Sequence, residues 1–165
     1  MISIRKIPVP ANTKLAMYSS LGGAYTDCYT TGISRKVSFP EFVFAFYTTP
    51  LFRLERWILK FIVSKPSADA DAQNLANGVA DKFAAWTVEG RKDNELLLCD
   101  FLGRTRSWLM TENDGAKTNL YFGSAVVPKK GEPSLDFGFR LLLGFHQIYS
   151  VLLLYSARSR LARRA

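Results

Sequence analysis

Histidine and cysteine are nearly absent from this sequence. Its 165 residues hold one histidine, His146, and two cysteines, Cys28 and Cys99. One imidazole cannot build a histidine-based zinc site, and two thiols do not make a disulfide framework. No metal and no other cofactor is expected. The nucleotide signatures are missing too: there is no phosphate loop ending in Gly-Lys-Ser/Thr, and no Gly-x-Gly-x-x-Gly after a strand. Leu21-Gly22-Gly23-Ala24 is too short for such a cradle and precedes a strand. The nucleophile elbow Gly-x-Ser-x-Gly is likewise absent. The opening residues Met-Ile-Ser-Ile-Arg-Lys-Ile-Pro have no continuous apolar core, so they do not read as a secretory leader. The thiols are therefore read as reduced and the protein as cytoplasmic. Long apolar runs are scarce. The stretch Leu141–Ala157 has 17 residues without Asp, Glu, Lys or Arg. It is short for a spanning helix, which needs about 20, and His146, Gln147, Tyr149 and Ser150 interrupt it, so it reads as a core helix.

What is present is ordinary globular material with many rings. Hydrophobic residues make up 48% and charged residues 22%, which excludes disorder and supports one domain over 1–165. There are 12 Phe, 7 Tyr and 3 Trp, a content compatible with a cavity. The net charge is +8, and half of it comes from Arg158, Arg160, Arg163 and Arg164 in the tail 158–165. Smaller basic pairs stand at Arg35-Lys36 and Lys129-Lys130. A nucleic-acid binder spreads its charge over a face with polar and aromatic readers, so no nucleic acid is expected. The tail is either a solvated helix end whose arginines complement the helix dipole or a weak contact for an anionic membrane surface.

The order of elements follows from period and punctuation. Residues 1–23 read as an irregular lead-in. Ala24–Val37 is rich in β-formers and predicts a strand. Ser38-Phe39-Pro40-Glu41 predicts a capped helix start. Thr49-Pro50 restarts a helix as cap and first residue, with Leu51, Leu54, Ile58 and Ile62 on one side. Ser67 begins a third, carrying Leu75 and Val79 as apolar teeth and stopping near Gly78. Then the period changes. Phe83–Arg91, Glu95–Phe101, Arg104–Thr111 and Thr118–Val127 are β-like runs whose short gaps can join only antiparallel neighbours. From about Leu135 one long apolar helix runs to the basic end. Strands and helices do not alternate, so the fold class is α+β, a curved antiparallel sheet with the long C-terminal helix packed across it.

A two-residue turn at Leu102-Gly103 pairs Cys99 with Arg106 and Leu97 with Trp108. It places Arg106 and Trp108 on one face, with Tyr121 beside them. Arg106, Trp108, Tyr121, Trp86 and His146 are the candidate ligand-binding residues, lining a cavity between sheet and C-terminal helix. Arg106 would hold the acid of an otherwise apolar or aromatic molecule. Its competing role is to pair with a carboxylate such as Asp27, Asp100 or Glu55, or to snorkel to water. The opposite face, with Leu96, Leu98, Leu109, Leu120 and Phe122, is too apolar for solvent. Either the helices cover it, or a second subunit does in a homodimer, or the facing assignment is reversed.

This order, with the meander residues Trp86-Thr-Val-Glu, Leu96-Leu-Leu-Cys-Asp100, Arg104–Leu109 and Leu120-Tyr-Phe-Gly-Ser124 and the closing Phe145-His146, resembles the helix-grip, START-like (SRPBCC) superfamily. Within it the chain is most similar to small bacterial families of unknown function. The resemblance implies binding of a small hydrophobic or aromatic molecule between sheet and helix. It also leaves open an enzyme of the cyclase or dehydratase sort using Arg106, Tyr121 or His146. A third reading is a protein that docks to a membrane or partner through its apolar helix and basic tail.

Overall fold

The β-branched and aromatic run after Gly22-Gly23 becomes the first long strand in the computed structural model, β2 (Tyr25–Ile33). Residues 3–62, 67–128, 131–132, 135 and 137–163 are described, with 58–62 and 137–142 described by their backbone. Before β2 come a short strand β1 (Arg5–Lys6) and a single helical turn α1 (Ala16–Ser19). Three helices follow: α2 (Phe39–Tyr47), α3 (Pro50–Ile62) and α4 (Asp69–Ala76). Then come β3 (Lys82–Phe83), β4 (Trp86–Lys92), β5 (Glu95–Asp100), β6 (Thr105–Asp114), β7 (Lys117–Val126) and the closing helix α5 (Phe137–Ala162). The seven strands form one sheet in the order β1-β2-β7-β6-β5-β4-β3, every pair antiparallel. The α+β class and the meander are as the sequence predicts.

The caps show local chemistry at work. The Ser38 hydroxyl accepts the Glu41 N–H at 3.3 Å, and the Thr49 hydroxyl accepts the Phe52 N–H at 3.2 Å, with Pro50 opening α3. Ser67 does not cap α4. Arg56 takes its hydroxyl, and Asp71 instead accepts the Ala68 N–H at 2.7 Å. Two apolar assignments also change. Val79 lies beyond the end of α4 and is exposed, and Leu54 faces solvent while Phe52 and Arg56 face inward. The run Phe83–Arg91 is split, because Ala84 takes a positive φ of 51° and folds Phe83 back to pair with Trp86.

Period-2 alternation divides the sheet into two differently covered faces. Leu96, Leu98, Leu109, Leu120 and Phe122 pack under α2, α4 and α5 in the larger core. Rings fill the space: Phe46 lies 4.8 Å from Phe122, and Tyr47 lies 4.9 Å from Phe52 and 5.4 Å from Phe83. The Tyr47 hydroxyl, buried in this cluster, is bonded to Ser107 at 2.9 Å. The other face carries a smaller core of Leu15, Tyr18, Cys28, Leu97, Trp108 and Ala125. The lead-in, irregular apart from β1 and α1, is therefore also a packed layer. Glycine makes the fit: a Cβ at Gly123 would stand 2.5 Å from a Leu15 methyl and 2.9 Å from the Asp27 carbonyl oxygen. The Glu95 carboxylate, 2% exposed, fastens this layer. It accepts the Lys14 N–H and the Trp108 indole N–H, the latter at 2.8 Å, and pairs with Lys92 at 3.0 Å.

Candidate functional site

Beneath the N-terminal half of α5, polar side chains from β2, β7 and α5 meet. Odd positions of β2 and even positions of β7 face the helices, which puts Tyr25, Asp27 and Ser124 under α5. The Ser124 hydroxyl donates to Asp27 Oδ1 at 2.6 Å, and the Ser124 N–H donates to the same oxygen at 3.2 Å. Tyr25 donates its phenolic proton to Asp27 Oδ2 at 3.0 Å and accepts the Gln147 amide at 3.1 Å. His146 Nε2 lies 2.8 Å from the Ser124 oxygen and 3.5 Å from Asp27 Oδ2. A hydroxyl has one proton. With that proton on Asp27, Ser124 accepts from His146, whose Nε2 therefore carries a hydrogen. A hydrolytic triad runs the other way, with histidine taking the serine proton. Ser124 is also almost fully buried. In this arrangement the constellation ties the helix to the sheet.

Its electrostatics agree. Burial alone would raise the Asp27 carboxyl, but the bonds from His146, Ser124 and Tyr25 outweigh it and hold it below its ordinary value. Burial, with Asp27 beside it, pushes Tyr25 up to about 12. The ionised carboxylate thus ties α5 to the sheet through the adjacent residues His146 and Gln147.

Gln147 also forms part of a groove. Between α5 and the β1–β2 edge, Lys6, Tyr29, Gln147, Ile148, Val151 and Leu152 line about 310 Å³. Most of the lining is hydrocarbon or ring, with Lys6 as the cation and Gln147 as the polar anchor. This volume is at the small end of ligand sites, which run from roughly 300 to 1,000 Å³. A larger depression of about 720 Å³ lies between α3 and α4, against Arg53, Arg56, Trp57, Ser67, Asp69 and Asp71. Its arginines are already engaged: Arg56 binds Asp69 at 2.8 Å and Ser67 at 2.9 Å, and Arg53 also pairs with Asp69. That cleft is a clamp between helices. A third cluster joins α3 to α5, where Tyr149 donates to Glu55. Burial raises the Glu55 carboxyl, and the tyrosine bond offsets that only in part.

The five residues singled out from sequence do not share a chamber. His146 stands under α5 as described. Trp86 packs on the helix-side core, with its indole N–H buried and without a hydrogen-bond partner among the described residues. Arg106, Trp108 and Tyr121 lie on the other face, under the lead-in. The register is as predicted, with Cys99 opposite Arg106 and Leu97 opposite Trp108. Tyr121 sits two pairs further along, opposite Met110 and on the same face, with its ring 6.5 Å from Trp108. What differs is which face the helices take. Leucines offer no polar atoms and accept the helices. The N–H groups of Arg106 and Trp108 need acceptors, which Glu89 and Glu95 supply. Arg106 Nε donates to Glu89 Oε2 at 3.0 Å, its guanidinium lies 4.8 Å over the Tyr18 ring, and Tyr18 donates to the same carboxylate. Glu89 thus fills the place a ligand acid was expected to take. Of the residues that form the network and groove, Asp27 carried the clearest signal, an acid among β-formers on the same strand face as Tyr25 and Tyr29.

The basic end is also partly structural. Arg158 donates to the Gly32 carbonyl at 3.0 Å and Arg160 to the Thr48 carbonyl at 2.8 Å, holding the end of α5 against β2 and the α2–α3 junction.

No family profile matches the chain, and no curated protein matches it. Among solved structures the chain is similar to the crystal structure of CalU16 from Micromonospora echinospora. The two are 12% identical, the match covers 97% of this chain and 92% of that one, and the TM-score is 0.36. A match at that level leaves the reading to the residues. They define an α+β sheet-and-helix protein with a polar network under its long helix and an apolar groove at its sheet edge. Among the described residues, no helix is long and apolar enough to cross a membrane.

Proposed function

We propose that the protein binds a small, mainly apolar molecule carrying one acidic group, in the groove between α5 and the β1–β2 edge. The groove itself carries the reading: Tyr29, Ile148, Val151 and Leu152 form its walls and Lys6 stands at its rim. Apolar walls supply affinity and the single cation supplies orientation. Gln147 is held by Tyr25, which is held by Asp27, so the inner wall has a fixed shape before any ligand arrives. Such preorganisation lowers the ordering cost of binding. The role first assigned to Arg106 passes to Lys6.

Fluorescence titration with anilinonaphthalene sulfonate, an aromatic anion, and phenylnaphthylamine, its neutral counterpart, tests this. Val151→Trp fills the groove and should abolish binding of both. Lys6→Met should weaken the anion about five-fold, as expected for an exposed charge pair near 1 kcal/mol, and leave the neutral probe unchanged. Undiminished binding of both probes to Val151→Trp would overturn the proposal.

A further inference from the structure

Helix α5 is apolar on two opposite sides. One side, with Leu153, Leu154, Ala157 and Leu161, is buried against the rest of the molecule. The other carries Phe145, Ile148, Leu152 and Tyr155, spaced by three, four and three residues and therefore in one line along the helix. These four remain 70%, 62%, 49% and 48% exposed. A surface helix normally turns charged and polar residues outward, so this stripe is built for a cover. Charge indicates which. Residues 137–162 contain no Asp or Glu at all, although the chain has 14 acidic residues. Lys6 borders the stripe beside Ile148 and Leu152, and exposed Arg163 follows directly after the end of the helix.

We infer that this outward face of α5 docks on an anionic lipid bilayer, with the helix lying in the interface plane. Apolar side chains enter the headgroup–acyl boundary, the rings of Phe145 and Tyr155 sit at the level such rings favour, and the flanking cations meet lipid phosphate and carboxylate groups. A second copy is the weaker occupant, because it would bring the same cations and another net charge of +8 to the stripe. The stripe shares Ile148, Leu152 and Lys6 with the groove, whereas Phe145 and Tyr155 lie outside the groove lining and belong to the stripe alone.

Co-sedimentation of the full chain with vesicles tests it, using phosphatidylcholine alone and phosphatidylcholine with about 30% phosphatidylserine. Pelleting is expected with the anionic vesicles and not with the neutral ones, and it should fall as salt rises. Phe145→Asp combined with Tyr155→Asp should abolish it, while Val79→Asp, an exposed apolar position elsewhere, should leave it intact. Arg163→Glu keeps the apolar stripe and should weaken binding at least five-fold. It serves as the second probe if the double variant fails to fold by circular dichroism. Equal pelleting with both vesicle types, or unchanged pelleting of the folded double variant or of Arg163→Glu, would overturn the inference. So would a dimer in light scattering that Phe145→Asp dissociates. Undiminished anilinonaphthalene sulfonate binding by the folded double variant separates this outcome from any failure of the groove reading.

Discussion

The two faces of the sheet solve the same packing problem with different materials. Under the helices, leucines meet a cluster of rings, where the Tyr47 hydroxyl bonds to Ser107 and the buried indole N–H of Trp86 has no hydrogen-bond partner among the described residues. Under the lead-in, a much smaller apolar set is ringed by carboxylates: Glu95 grips Lys14, Lys92 and Trp108, and Glu89 grips Tyr18 and Arg106. A three-layer arrangement thus emerges in which one outer layer is helical and the other is a nearly structureless segment. The lesson is that a segment without helical or strand periodicity can cover a sheet if the sheet offers hollows and acceptors. Gly123 supplies the hollow and the glutamates supply the acceptors.

If the lead-in face is a true core, truncating its centre should cost as much as truncating the centre of the helix face. Trp108→Ala and Phe46→Ala are each expected to lose about 3–5 kcal/mol in urea unfolding, the range for deleting a buried aromatic. A loss under about 1 kcal/mol for Trp108→Ala would reduce the lead-in to decoration.

A smaller effect is expected from the network that joins helix to sheet. Asp27→Asn should cost about 1–3 kcal/mol at neutral pH, because it weakens acceptors for buried donors. The folded Asp27 carboxyl lies below its ordinary value of 3.8. Its stabilising contribution is therefore full above that value and is lost as pH falls through the lower folded value. Melting curves of the two proteins should converge in acid; a gap that widens there would contradict the assignment.

The smallest effect separates positioning from packing on the outer face. Arg106→Ala breaks a partly exposed pair with Glu89, and less than about 1 kcal/mol is expected in the same unfolding assay. A loss as large as that of Trp108→Ala would make the ion pair, not the apolar core, the fastener of the lead-in.

Much of this was legible from residue order. The capping serine and threonine, the four-strand meander and the pairing across Leu102-Gly103 follow from local rules that act within a few residues. Alternation also sorted Leu96, Leu98 and Leu109 from Leu97, Arg106 and Trp108. It could not say which set the helices would cover, since both are apolar enough to be buried. That choice depends on residues far away in the chain: Leu15 finding Gly123, and Lys14 finding Glu95. The groove was illegible for the same reason. Lys6 and Val151 are 145 positions apart and meet only because β1 pairs with β2 and α5 crosses that edge.

The sheet ends, at both sides, in strands of two residues, β1 and β3. Each carries lysine, and β1 carries Arg5 as well. Strand-to-strand association between molecules needs a long, unpaired and uncharged border. The end strands are short and charged, and the β4 border beyond β3 carries Glu89, Arg91 and Lys92, which disfavours strand addition at either end. A partner is therefore more readily met by side chains on a helix or in a groove than by an added strand.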